Sequence, residues 1–572
     1  MRDRRAARAA LVVAAGVALV AACADIPTSG TIHVGRPLSA VGGLGDVDVR
    51  VQPPQAQPGL SPTGVVLGFL RAVVNNDGDY EIARSYLTAH AAQTWKTTGV
   101  TTYDDGSVQI SAALPAGKGR TVQLQVDRRG RVDSRGEFSP STGRLTATFR
   151  LVRQRRDWRI DQLPDGVLLS TSDAQRALRL ATLFFIDRSQ TSLVPEQVLL
   201  RPEAIGFTTA AVRALLAGPG PWLAPAVRTG FPRGVNLLGN VAVGQDGTAE
   251  VNLSAAVRQA SRTQLRELTA QVVWTVLQDS QISRVRVLAD GSPLNLPGVP
   301  AVQTRATWDD WNPAPAQDLP AFYSGPGGWR SAAGGSNPSL QSAAGLSWLA
   351  MSQDARFLAA VGGGPGSERL LTWHSGGQPE TRLSAAAVTP PAVDRTGDVI
   401  VVATRRHGTN DVVMVTPLGR RTHVRAPTLE SLPVSALSLA PDGSRVAVVV
   451  GAPGRGRLLL GRISDGRRGM VFDGFRNVLP TWTDVRSVAW DGAAQLVVTA
   501  ADDAHHRRLV AVDVDGYSSR VLSTDGVRGE PVFVAAAPGQ PLVLLARDSV
   551  WTTRVNGGWR RIGRGGQPGY PG

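Results

Sequence analysis

Cys23 is the one cysteine in this 572-residue chain, so its thiol has no partner for an intrachain disulfide and is available for chemistry at sulfur. The other reactive residue types form no set that a reaction needs. Seven histidines occur, none at the spacing of a metal site and none in a His-Glu-x-x-His pattern. His505 and His506 are adjacent in a polar loop, where neighbouring side chains point apart rather than at one shared ion. No Gly-x-Ser-x-Gly elbow is present. Lys96 and Lys118 have glutamine and proline three residues before them, which excludes a Ser-x-x-Lys nucleophile. The run Gly362-Gly363-Gly364-Pro365-Gly366 lacks the Lys-Ser/Thr of a phosphate loop. Asp104-Asp105 and Asp502-Asp503 are paired acids that read as surface turns rather than as general acid and base. The expectation is a protein without catalytic residues, metal ligands or cofactor.

The surroundings of Cys23 give its thiol a role. Arg2, Arg4, Arg5 and Arg8 precede an apolar stretch from Ala9 to Ala22, and the run Val20-Ala21-Ala22-Cys23 closes it. A basic start, a short apolar core and small residues before the cut make a secretory signal peptide. The core of about 14 residues is too short to span a bilayer of roughly 30 Å. With cysteine after the cut, the pattern resembles a bacterial lipobox. That resemblance implies cleavage between Ala22 and Cys23, an S-diacylglycerol on the thiol and an acyl chain, such as palmitate, on the new amino group. Two or more chains hold a protein on a membrane stably where one does not, at about 0.8 kcal/mol per buried methylene. The expected place is the extracytoplasmic face of the cell membrane. The covalent lipid is the only prosthetic group expected.

Behind the anchor, composition requires a folded body. Hydrophobic residues make up 42% and charged residues 19%, which is globular rather than disordered. An exported chain without disulfides must rely on core burial. The net charge is +15, and all basic residues but two lysines are arginine. Removing the signal, with four Arg and one Asp, leaves +12. Such a balance allows attraction to anionic lipids or acidic wall polymers. The arginines are scattered, and an exported chain has no nucleic-acid partner to expect.

Residues 1–22 are the signal, and residues 23–61 read as a Pro- and Gly-rich tether. Residues 62–166 start with a helical face of Val65, Val66, Phe69, Leu70, Val73 and Val74, behind Pro62 in the first turn. Asn75-Asn76-Asp77-Gly78-Asp79 breaks that helix, and Ala83, Tyr86 and Leu87 mark a second. Strands follow at 122–126, 145–151 and 157–160, so this is an α+β domain. The order is similar to a nuclear-transport-factor-like cone.

Residues 181–302 carry a strand at Leu183-Phe184-Phe185-Ile186 and a helix from Thr208 that stops at Gly218-Pro219. Phe231 to Val235 read as a turn into a strand. A later helix has Leu265, Leu268, Val272 and Val276 on one face. The runs Leu193-Val194-Pro195-Glu196, Leu215 to Pro219, Glu250-Val251-Asn252-Leu253-Ser254 and Ala270 to Thr275 together resemble a GerMN domain. That resemblance implies an extracytoplasmic module with no established catalytic residues.

Residues 317–572 repeat. Apolar strands flank turns marked by Asp354, Gly397, Gly443, Gly492 and Gly539, at steps of 43, 46, 49 and 47 residues. Several short strands per period of about 40–50 residues are the pattern of a β-propeller. Residues 322–333 supply a further strand pair, so five or six blades both fit. The thirteen tryptophans include Trp348, Trp373, Trp490, Trp551 and Trp559, residues expected to pack between blades.

Lipobox, α+β domain, GerMN domain and propeller in this order resemble the actinobacterial lipoprotein LpqB family over nearly the whole chain, down to the ending Trp559 to Gly572. Two departures stand out: the turn at Gln353-Asp354 lacks an Asp-Gly pair, and Asp491-Gly492 is displaced toward Trp490. The resemblance implies an accessory protein that binds the extracellular domain of an MtrB-type two-component sensor histidine kinase, in envelope homeostasis and cell division. A binder of peptidoglycan or glycopolymer without a kinase partner is the alternative. A wall hydrolase with a carboxylate site at the propeller centre is the third.

Overall fold

The computed structural model describes residues 55–201, 206–315, 320–334, 338–467, 469–554 and 557–572. Ala22, Cys23 and most of the tether lie outside the described residues. Among the described residues no helix is long and apolar enough to cross a membrane.

The first domain is built on one long strand. Gly119–Val132 pairs with Arg144–Gln154 along its first half and with Val100–Tyr103 along its second, so it bends through two sheet segments. The helix Pro62–Ala72 is capped by the Ser61 hydroxyl, which accepts from the Gly64 N–H, and has proline in its first turn. Its face of Val65, Val66, Phe69 and Leu70 is buried, with the Phe69 ring 5.3 Å from Trp95 and 6.1 Å from Phe149. The break after it falls where the sequence places it and runs on through Tyr80. Gly78, Asp79 and Tyr80 take left-handed φ of 57°, 54° and 66°, and the second right-handed helix follows them to Arg84. Tyr86 and Leu87 then leave the helix, and the Leu87 backbone bridges to Ile160. The last residues read as tether also differ. The Ala56 N–H donates to Ser85 Oγ at 3.2 Å, and Leu60 packs on the domain core.

The second domain has two small sheets. Leu193–Leu200, Arg179–Asp187 and Val227–Arg228 form one. Ala242–Val243, Thr248–Leu253, Arg284–Ala289 and Ser292–Pro293 form the other. The helices Phe207–Leu216 and Arg262–Val276 complete the core. The expected strand after Phe231-Pro232-Arg233-Gly234-Val235 does not form; Leu237 makes one isolated bridge to Leu253. The helix Arg262–Val276 opens with a capping box of Ser261 and Gln264. It is not amphipathic in the way its apolar spacing suggests, because everything from Glu267 to Val276 is buried. Two of its buried polar side chains have partners, while Glu267 Oε2 and Trp274 Nε1 are buried without one. Gln271 donates to the Phe184 carbonyl and accepts from the Gly230 N–H, both at 2.8 Å, and Glu267 pairs with Arg228.

The third domain is a six-bladed propeller. Five blades are antiparallel sheets ordered from the centre outward, over residues 347–385, 387–424, 434–477, 483–522 and 531–564. The sixth is a three-stranded sheet made from both ends of the domain. Gly566–Gly569 is its inner strand and pairs with Phe322–Gly325, which pairs with Gly328–Ser331. The approach there is close. A Cβ on Gly565 would lie 1.9 Å from the Ser324 carbonyl oxygen, so only glycine fits. Beyond it the Gly572 N–H donates to the Met351 carbonyl of the first blade at 2.8 Å, and Tyr570 Oη reaches the Pro541 carbonyl of the fifth at 2.5 Å.

The repeating turn has a physical cause. Asp442 Oδ1 accepts the Ser444 N–H at 2.8 Å while Gly443 takes φ 72°, and Asp394 and Gly397 (φ 85°) make the second-blade version. In the first blade Asp354 plays the aspartate part, and Ala355 at φ 54° stands where the other blades have glycine. Ala355, not Asp354, is therefore in register with the glycines.

Candidate interaction faces

In a blade of four antiparallel strands, the turns joining strands one to two and three to four share one end of the propeller. The turns joining two to three, with the connections between blades, share the other. The two ends are used differently here.

At the first end, blades three and four hold the other two domains. Arg445 opens the second strand of blade three and is 1% exposed, its carboxylate partner Asp442 buried beside it. Its guanidinium lies 5.1 Å from the Trp490 ring centre, and Nη1 donates to the Pro195 carbonyl of the second domain at 3.4 Å. Trp222 of the second domain donates from Nε1 to the Gly474 carbonyl at 2.6 Å, and Arg476 lies 4.0 Å over its ring. Arg476 reaches on to Glu137 of the first domain at 3.0 Å. Arg462 bonds the Trp222 carbonyl and, at 2.5 Å, Asp473. Arg188 pairs with Asp465 at 2.8 Å. Phe138 of the first domain packs edge-on against Tyr517 of blade four at 5.2 Å. Three domains thus meet through bridging arginines, of which Arg445, Arg462 and Arg476 are largely withdrawn from water. Such pairs specify one docking geometry more than they stabilise it, because desolvation offsets most of the attraction.

Burial shifts the acids at this junction. It pushes Glu196 up to about 7, against the Gly220 N–H that donates to it at 2.9 Å. Burial also pushes Asp515 up to about 7, opposed by the Tyr517 N–H. Glu137 is raised by burial, with Arg476 working against the rise, and burial lowers Arg476 itself. A cleft of about 410 Å³ between the first two domains is lined by Arg135, Glu137, Glu196 and Arg201. Arg135 closes part of it by donating to the Gly218 carbonyl at 2.6 Å.

The propeller centre is ringed by aromatic side chains among polar ones. Its channel, about 170 Å³, is walled by Trp348, Trp490 and Phe533, with Trp348 and Phe533 rings 5.3 Å apart. Asp394 is the carboxylate that lines it, and its Oδ1 is taken by the Thr396 and Asp398 N–H groups at 2.9 Å. Among the described residues no second acidic side chain lines the channel.

The opposite end is open. Its turns include Gly364-Pro365-Gly366, Arg405-Arg406-His407, Arg455, Asp502 to His506 and Arg547-Asp548, and Arg406, His407 and Arg455 are exposed. Among the described residues no hydrogen bond or ion pair joins these turns to the first two domains.

The residues singled out in the sequence scatter over the molecule. His505 and His506 sit in the exposed turn of blade four, His506 Nδ1 being 3.9 Å from Asp502, which also takes Arg508. Asp104 pairs with Arg129, and Asp105 accepts from the Ser172 hydroxyl at 2.6 Å. Both acid pairs thus serve turns. Among the described residues no group of three or more metal-ligating side chains forms. Trp373, Trp490 and Trp551 are buried in the blades as their type suggests. The docking set of Arg445, Trp222, Arg476 and Glu196 was not legible as a site. One signal existed: Glu196 and Gln197 interrupt an otherwise apolar strand that is buried almost end to end.

Comparison with known proteins covers the three domains in turn. The model described as "Lipoprotein LpqB, N-terminal domain" matches residues 55–175, that for "Sporulation and spore germination" residues 182–295, and that for "Lipoprotein LpqB beta-propeller domain" residues 335–571. Lipoprotein LpqB of Cutibacterium acnes is 30% identical over 98% of both chains. That of Thermobifida fusca is 28% identical over 99% of both. Among solved structures, TolB from Acinetobacter baumannii superposes with a TM-score of 0.34 at 13% identity, over 53% of this chain and 86% of that one.

Proposed function

The chain belongs to the LpqB lipoprotein family, and we propose that it is a non-catalytic binding protein of an MtrB-type sensor kinase. In this reading Cys23 carries the lipid, and the mature chain is held on the extracytoplasmic face of the cell membrane. The relatives' name as lipoproteins supports the anchor. One observation carries the rest: the propeller is clamped to the other domains at one end, while the loops of its opposite end stay uncovered. A clamp of that kind presents a wide surface in one fixed orientation, which suits recognition of a protein domain. Asp394, the side-chain carboxylate that lines the channel, is held by the N–H groups of its own turn, which favours binding over hydrolysis.

The test is co-purification of the soluble chain from residue 24 onward with the kinase's extracellular domain. Binding that is lost when the open-end turns are changed supports the proposal. No detectable binding at high micromolar concentration overturns it. Mass spectrometry of the native protein checks the anchor, and an unmodified Cys23 sulfur would remove it.

A further inference from the structure

Several arginines of this chain have a carboxylate beside them: Arg286 with Glu250 at 2.7 Å, Arg405 with Asp411 at 2.5 Å, Arg284 with Asp246 at 2.9 Å. Blade five is different. A cleft of about 460 Å³ lies between its outer strand and the connection entering it from blade four, lined by Arg528, Arg547, Arg561 and Arg564. Asp548 is the one carboxylate in the lining, and its Oδ1 accepts from the Ser549 hydroxyl at 3.1 Å. Among the described residues none of the four arginines makes an ion pair, and all four are exposed.

The fold gathers them. Arg547 occupies the two-residue turn after Ala546 at φ 57°, and its Cβ would lie 3.1 Å from a Cβ on Gly529, so the glycine (φ 97°) lets the connection carrying Arg528 come close. Arg561 stands opposite Trp551 in the strand register and Arg564 opposite Ser549. Trp551 walls the cleft; it is 9% exposed and its indole N–H is buried without an acceptor. Four guanidiniums around one concavity with a single carboxylate focus a positive potential that an isolated surface arginine lacks. The guanidinium fork matches the oxygens of a phosphate two at a time.

We propose that this cleft is an anion site for a phosphate group in a diester, presented by a phospholipid headgroup or by a phosphate-bearing polymer. The cleft shares the Arg547-Asp548 turn with the open end of the propeller, but the site rests on its arginines alone and its test involves no kinase.

The test uses the whole soluble chain and two probes: vesicles of phosphatidylglycerol in phosphatidylcholine, and a soluble glycerol-phosphate oligomer. The variant is Arg561→Gln with Arg564→Gln. Arg405→Gln with Arg406→Gln on blade two removes the same charge elsewhere. The blade-five variant should bind about tenfold more weakly while the blade-two variant changes little. Circular dichroism checks that both are folded. Binding to vesicles alone assigns the headgroup, and binding to the oligomer assigns the polymer. Equal weakening in the two variants, or no binding by the unmodified chain to either probe, overturns the site.

Discussion

Arg445 and Arg406 lie in turn regions of neighbouring blades, one at each end of the propeller. Arg445 is 1% exposed, holds Asp442 and Trp490, and touches the second domain. Arg406 is exposed in a loop that no other domain approaches. The residue type is the same and the energetic meaning is opposite. A buried guanidinium is tolerated only while its partners stay in place, so it ties the domains together. An exposed one is hydrated whether or not anything is bound, so it is free to meet a partner. One end of the propeller is therefore structural, and the other stays exposed.

The sharpest way to break this contrast is Arg445→Ala. It leaves Asp442 buried without its cation and should cost about 3–5 kcal/mol in chemical unfolding. A loss near that of a surface arginine would mean the docked end is not what it looks like. Trp222→Ala removes the ring beneath Arg476 and the bond to Gly474, and should cost about 2–3 kcal/mol. Limited proteolysis should then cut between the second domain and the propeller before it cuts within either. At the open end one position should behave like the docked end. Gly565→Ala drives a Cβ into the Ser324 carbonyl and should cost about 1–3 kcal/mol, read as a lower melting temperature. By contrast, Arg455→Gln in the exposed turn of blade three should move stability by less than about 0.5 kcal/mol.

A pH series separates the two ends in another way. Folded Glu196 and Asp515 keep their protons up to about 7, whereas the unfolded chain gives them up at the ordinary carboxyl values of 4.5 and 3.8. Their raised values favour folding below those ordinary values, and this contribution is lost as pH rises toward 7. The denaturation midpoint should therefore climb as pH falls from about 7 toward about 4.5, and Glu196→Gln should flatten part of the climb. A midpoint that falls over this range in both proteins would contradict the buried state of the junction.

Much of the fold was readable because its signals are local. Apolar alternation around Asp442-Gly443 is a property of fifteen consecutive residues, and the hairpin forms as written. The same reasoning placed the helix Phe207–Leu216 and the strand Thr248–Leu253. It was less reliable where local spacing and final burial differ. Arg262–Val276 reads as one-sided and is enclosed on all sides, because strands and loops of its domain cover the face bearing Glu267 and Gln271. The expected strand after Phe231 found no long partner and became a single bridge at Leu237. In the first blade an alanine occupies the left-handed turn position, and Ala355→Gly should add up to about 1 kcal/mol.

By itself the amino-acid order determined the family, the succession of three domains and the propeller repeat, because hydrophobic period and turn chemistry act between near neighbours. Tertiary structure alone decided the sixth blade, where Gly566–Gly569 pairs with a strand more than two hundred residues earlier. It also decided which arginines are buried as clamps and which gather unpaired on blade five. An arginine codes for a charge; whether that charge meets water, a carboxylate or an empty cleft depends on what distant parts of the chain bring beside it.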